Sequence, residues 1–234
     1  MDTFHICAPV FQITAEDELA GNRHIHFTLQ TEEGYHTHCD LLLPKTQNGK
    51  LPLCVCLQGH TKGAHISLGK IKYPGDENNI NCRDGDYAIR AVREGFAALA
   101  IEQRGFGLCG GTTTYYTACL ENRFTGFMPS GSLCNYRDHL TYIHNCTCNY
   151  IPGIANYFEM GDLAILIAPK KLTVVCAEED IYFAAEGVKA AYETIKSLYR
   201  AAGAEDACEL VLGNQGHRFY ADAAWPVMHR LLQQ

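Results

Sequence analysis

The chain has 234 residues, enough for a domain with a substantial core. Nearly half of them are apolar, which excludes disorder as the main state, and a formal charge of −7 without a long basic run excludes a nucleic-acid partner. The N-terminus, MDTFHICAPVFQITAEDE, lacks the basic segment and apolar run of a signal peptide, and no stretch of about 18 apolar residues occurs; a cytoplasmic protein with no membrane partner is expected.

Along the chain, the first 50 residues read as β-rich. HIHFTLQ (24–30) and YHTHCDLLLP (35–44) are strands joined by a turn at Thr31–Gly34. LPLCVCLQGH (51–60) is a short apolar run ending in glycine, a buried parallel strand followed by a loop. DGDYAIRAVREG (84–95) is a helix with an Asp cap and a terminal glycine, and GFAALAIEQRG (95–105) is the next buried strand. TTTYYTACLENR (112–123) is helical and FTGFMPSGS (124–132) is a strand. The segment from Leu133 to Pro169 is irregular, with a short helix near 154–167. KLTVVCAEED (171–180) is a strand, residues 184–203 form a long amphipathic helix closed by Gly203, and ACELVLGNQGH (207–217) is a strand and loop. A helix containing Trp225 ends the chain.

Strands alternating with helices imply an α/β fold with a mainly parallel sheet covered by helices on both faces. There is no repeat and no linker. A single domain, 1–234, is expected, with a β-rich part over 1–50 and a core over 51–234.

Twelve cysteines without an export signal suggest reduced thiols, mostly small buried apolar residues. His144-Asn-Cys146-Thr-Cys148 could supply three soft ligands to zinc, but no second cluster with customary spacing follows. His24/His26 and His36/His38 alternate at strand period and read as a polar strand face. The expectation is no metal and no cofactor.

Reactive groups of such sheets sit in loops at the carboxyl ends of strands. Four loops qualify: Gln58-Gly59-His60, Arg104–Gly107, Glu178-Glu179-Asp180 and Gly216-His217. An acid and then a histidine, on the last two strands, follow the chain order of an α/β-hydrolase. The histidine takes and returns a proton, and the carboxylate fixes its tautomer. The plain readings are that Asp180 is a helix cap and His217 a structural histidine.

The words CLQGHTKG, AIEQRGFG, CNYIPGI, EMGDLAILIAP, EED and GHRFYADAAWPV resemble the acetyl-xylan-esterase-like and dienelactone-hydrolase-like branch of the α/β-hydrolase superfamily, over nearly the whole chain from about residue 20. The resemblance implies a serine carboxylic-ester hydrolase acting on a small or acetyl ester. In it, Asp180 matches the triad acid, His217 the triad base, and the backbone N–H of His60 one oxyanion donor.

The nucleophile is the exception. Gly107-Leu-Cys109-Gly-Gly111 fits G-x-C-x-G, the turn that presents a nucleophile. In the resembled family, however, R-G-F-G ends one strand, and a helix and a further strand follow before G-x-S-x-G-G. Here Gly107 runs almost directly into the helix that follows the nucleophile. The sheet is therefore expected to lack one central strand and helix, and the G-x-C-x-G match to be coincidental. Only Ser67, Ser130, Ser132 and Ser197 occur, none within G-x-S-x-G. Three readings stand beside one another: an internally deleted, inactive esterase; a thiol hydrolase using Cys109; and a non-catalytic binding protein that keeps the pocket.

Overall fold

The computed structural model describes residues 6–45, 49–104, 110–137 and 149–234. The chain divides into two compact units: one from the described residues of 1–81 and 85–108, the other from 82–84 and the described residues beyond 109.

The first unit is built on β1 (Ile6–Leu19), β2 (Asn22–Glu32), β3 (Tyr35–Leu43), β4 (Leu53–Cys56), α1 (Asp76–Asn81), α2 (Tyr87–Arg93) and β5 (Ala97–Ile101). Its sheet runs in the order β1-β2-β3-β5-β4. Three of its pairings are antiparallel and only β4 with β5 is parallel. The expected mainly parallel sheet is thus corrected to a mixed one, because antiparallel hairpins supply its first half. Gly34, at φ 76°, makes the β2–β3 turn. β1 went unrecognised in the sequence; it is exposed along nearly its whole length and carries Pro9, which an edge strand tolerates. β4 was expected to be buried, but it ends the strand order and Leu53 is 51% exposed. Asp86 precedes α2 as expected, yet its carboxylate takes Arg90 at 2.6 Å instead of capping the backbone.

One buried carboxylate organises the loop between β4 and α1. Asp76 Oδ2 accepts hydrogen bonds from Lys72 N, Tyr73 N and His65 Nε2 at 2.8–2.9 Å. Burial raises the carboxyl pKa, but these donors outweigh it and hold the group at about 2. An unfolded Asp titrates near ~3.9, so this group stabilises the fold above that pH, and the contribution is lost as pH falls through about 2. Acid unfolding followed by far-UV circular dichroism should show a component between about pH 4 and 2 that is missing from Asp76→Asn. Superimposable acid profiles would contradict this.

The second unit contains α3 (Gly110–Leu120), β6 (Gly126–Phe127), β7 (Lys171–Ala177), α4 (Ala185–Ala201), β8 (Cys208–Gly213) and α5 (Ala221–Leu232). Its sheet, β6-β7-β8, is parallel throughout. β7 is buried without a break from Leu172 to Ala177 and apolar there except for Thr173, as a strand covered on both faces requires. Tyr115, Met160, Leu172, Val174, Val188, Ile195 and Tyr199 are among the buried side chains of the core. The two tyrosines satisfy their hydroxyls on the carbonyls of Met160 and Lys170, at 2.9 and 2.8 Å.

Two expected elements come out differently. The strand expected over 124–132 has only two regular residues, continued by one bridge from Ser130 to Val175. The helix expected near 154–167 is two 3₁₀ segments, Ile154–Asn156 and Met160–Leu166. Close packing is the local feature of the second: a Cβ on Gly161 would lie 2.7 Å from the Ala191 carbonyl of α4. No helix among the described residues is long and apolar enough to cross a membrane.

Candidate active site

The register of β7 on β8 brings the late loops together. Leu172 pairs with Cys208, and the ladder runs in step to Ala177 with Gly213, so the two strands end level. Glu178 N then donates to Gly213 O at 2.9 Å. Neighbouring strands lie about 4.8 Å apart, within reach of side chains from the two following loops.

Asp180 and His217 meet there. Asp180 Oδ2 accepts from His217 Nδ1 at 2.8 Å. The other oxygen, Oδ1, accepts from the backbone N–H groups of Tyr182 and Phe183, at 2.8 and 3.1 Å. The carboxylate therefore closes a turn and orients a ring at once; it does not cap α4, whose N-cap is Ala184 and takes no side-chain bond. The Asp180 side chain is 1% exposed and that of His217 33%. Phe183 stacks on the imidazole at 6.0 Å and Tyr182 meets it edge-on at 5.3 Å. With Nδ1–H donated to a carboxylate, the neutral ring carries its lone pair on Nε2, the form that accepts a proton.

Residues that sequence reasoning missed fix the histidine loop. Tyr220 OH donates to Gly216 O at 2.8 Å and accepts from Gln215 N at 3.0 Å. Arg218 pairs with Asp84, which also accepts from Ala221 N at 3.3 Å. Gly131 is the third device. Its N–H donates to Val175 O at 2.9 Å, and its φ is +54°. A Cβ there would stand 2.5 Å from His217 Cε1 and 2.9 Å from Nδ1. The sequence signal was the Ser-Gly-Ser word after a short strand, which marks a turn but not what packs on it. Gly131→Ala should cost about 2 kcal/mol, from left-handed strain plus the clash, and should displace the ring. Fluorescence of the single tryptophan, Trp225 on α5, reads this unit. Unchanged stability with an unshifted His217 imidazole NMR signal would contradict the packing.

The other sequence-derived positions have separate settings. In the first unit, Gln58 is held by Ser67 Oγ, which donates to its Oε1 at 2.6 Å, and by Gln103 Nε2, which donates to its carbonyl at 2.8 Å. The next residues, Gly59 and His60, leave the strand end, and His60 is exposed. Cys109 and the His144-x-Cys146-x-Cys148 word lie outside the described residues. Five of the nine described cysteines are buried. Burial, assisted by the Asp180 carboxylate, pushes the Cys176 thiol up to about 12; burial, with Glu159 and then Asp180, does the same to Cys134. Both are neutral thiols at physiological pH and poor nucleophiles.

No family model matches the chain. Over 114 residues, 46% of this chain and 37% of the relative, it is 27% identical to the Bacillus subtilis (strain 168) protein named "Putative hydrolase YtaP". Among solved structures, Methylesterase BT1017 superposes with a TM-score of 0.71 over 98% of this chain and 59% of its own, at 17% identity. Glucuronoyl esterase from Solibacter usitatus gives 0.71 over 97% and 86%, at 10% identity. Acetyl xylan esterase 1 from Thermoanaerobacterium sp. JW/SL YS485 gives 0.59 over 96% and 89%, at 16% identity. The chain thus has the α/β-hydrolase fold, with esterases as structural neighbours, and spans well under two thirds of the length of YtaP and of the methylesterase.

Proposed function

We propose that this chain is an esterase-type α/β-hydrolase, both of whose units belong to one hydrolase domain, that keeps the acid–base pair and lacks the nucleophile-bearing strand and turn. The observation that carries the reading is the Asp180–His217 pair at 2.8 Å, at the level ends of two parallel strands, with a proton-accepting nitrogen left over.

Two features support the missing segment. The described strands form two separate sheets, and apolar β4 stands at the end of the first without the second neighbour that a parallel strand of its composition normally has. Residues 102–109 alone separate β5 from α3, too few for a crossover helix and another strand. A complete protein of this kind forms an acyl-enzyme on its serine while an oxyanion hole holds the tetrahedral intermediate. In this chain His217 is the base, Asp180 its partner, and the His60 N–H one oxyanion donor. The substrate class is a small ester, including acetyl esters.

Sequencing the natural transcript through codons 107–112, together with turnover of a short-chain aryl ester, tests this. A transcript of the present length with no turnover supports a pseudoenzyme. A longer transcript assigns the activity to the longer product. Turnover by the present chain overturns the reading.

A further inference from the structure

The four histidines expected to form one polar strand face divide into two kinds. His36 and His38 on β3 are exposed, whereas His24 on β2 is fully buried and His26 beside it is 28% exposed in its side chain. The register places Asp17 of β1 opposite His24, and Asp40 of β3 opposite His26. All four side chains share one face of the sheet and meet.

The contacts sort cleanly by ring edge. Asp17 Oδ1 lies 2.8 Å from His24 Nδ1, and its Oδ2 lies 3.4 Å from His26 Nε2. On the opposite edges, Asp40 Oδ1 lies 2.8 Å from both His24 Nε2 and His26 Nδ1. The ring centroids are 3.9 Å apart. One ligand atom from each of Asp17, His24 and His26 can be chosen so that all lie within 4.8 Å of one another.

We propose that Asp17, His24 and His26 bind a divalent transition-metal ion, zinc in the first instance, and that Asp40 orients the two imidazoles for it. A neutral imidazole has one N–H, so neither ring can donate to both carboxylates at once. Without an ion, a singly charged pair answers the close contacts, with His24 as an imidazolium donating to Asp17 and Asp40 and a neutral His26 donating to Asp40; only the 3.4 Å approach of His26 Nε2 to Asp17 then lacks a proton. A metal ion on the Asp17 side serves both rings at once: both are neutral, both N–H groups point to Asp40, and both lone pairs point to the ion. A carboxylate behind a ligating histidine is the usual support for such a site. Two nitrogens and one carboxylate oxygen suit zinc, which takes them at about 2.0–2.2 Å once the exposed Asp17 backs away from its 2.8 Å contact with His24 Nδ1 to admit the ion. The fourth position faces solvent, where Asp17 is 56% exposed, and water fills it. The ion would clasp the exposed edge strand β1 to β2.

The test uses the full chain stripped with a chelator and titrated with zinc against a chromophoric competitor. One zinc per chain should bind, and the imidazole NMR signals of His24 and His26 should shift. Asp17→Asn and His26→Gln, checked for folding by circular dichroism, should each weaken binding at least tenfold. Asp40→Asn, which keeps all three ligands, should weaken it by roughly ten- to a hundredfold. Because the chain has many thiols, cobalt is the second probe: its spectrum should show nitrogen and oxygen ligation without thiolate charge-transfer absorption. Zinc that leaves the His24 and His26 signals unmoved, cobalt bound through thiolate, or affinity unchanged in both ligand variants would each overturn the site. The wild-type NMR measurement decides the matter even if a variant fails to fold.

Discussion

The protein is expected to hydrolyse a short-chain aryl acetate no faster than its His217→Ala variant, and to take up no fluorophosphonate on any serine. The effect is large. Removing a triad nucleophile costs on the order of 10⁶ in turnover, and what remains comes from binding and the oxyanion hole. Each serine has a setting that explains the expectation. Ser67 is fully buried and donates to Gln58 Oε1 at 2.6 Å, so no base reaches its proton. Ser197 lies exposed on α4. Ser130 Oγ donates to Arg218 O at 3.4 Å, a carbonyl that cannot accept the proton in a reaction. Ser132 is 3% exposed, and its hydroxyl has no partner among the described residues. These last two flank Gly131, which packs on His217, so they are where a label would appear if the expectation were wrong. Labelling of either, with turnover abolished by His217→Ala, would restore a serine mechanism. Turnover blocked by iodoacetamide and traced to Cys109 would instead establish the thiol reading.

The meeting of Asp180 and His217 was legible because each follows an apolar strand, and a parallel ladder delivers adjacent strand ends to one place whatever the details of the loops. KLTVVCA and CELVLG carry that information locally. β1 was not legible because its apolar opening, ICAPVF, holds Pro9 and runs into polar residues without a period of two, and the strand buries almost nothing. The second turn-like helix was not legible as 3₁₀, since Gly161 is close-packed against α4, a tertiary demand with no local trace. The Asp17–His24–His26–Asp40 cluster was half legible. The spacing of the histidines puts them on one face, but the carboxylates arrive from two other strands, and only the register says which ones. The sheet's direction was misjudged for a related reason: the parallel rule was extended from the αβ-alternating part of the chain to hairpins that pair antiparallel.

Asp180→Ala is expected to destabilise the second unit by about 3 kcal/mol, with an unfolding transition read by Trp225. The carboxylate serves three donors, and alanine leaves the N–H groups of Tyr182 and Phe183 and the His217 ring without an acceptor. Each orphaned buried donor costs about 1–3 kcal/mol, less where solvent reaches it, as it does at Tyr182 and His217. Asp180→Asn separates structure from chemistry. The amide oxygen can still accept from the two backbone groups, so most of the stability should survive. The amide nitrogen then faces His217 Nδ1 and donates to it. The ring must give up its Nδ1 proton and carry it on Nε2 instead. Nitrogen chemical shifts of the imidazole should therefore show the Nδ1–H tautomer in the wild type and the Nε2–H tautomer in the asparagine variant. In the second tautomer the ring has no lone pair toward a nucleophile, which is why such a change disables a complete triad without moving its atoms. The same tautomer in both proteins, with full stability in the alanine variant, would mean that Asp180 does not orient His217 in solution, and the acid–base assignment would fall with it.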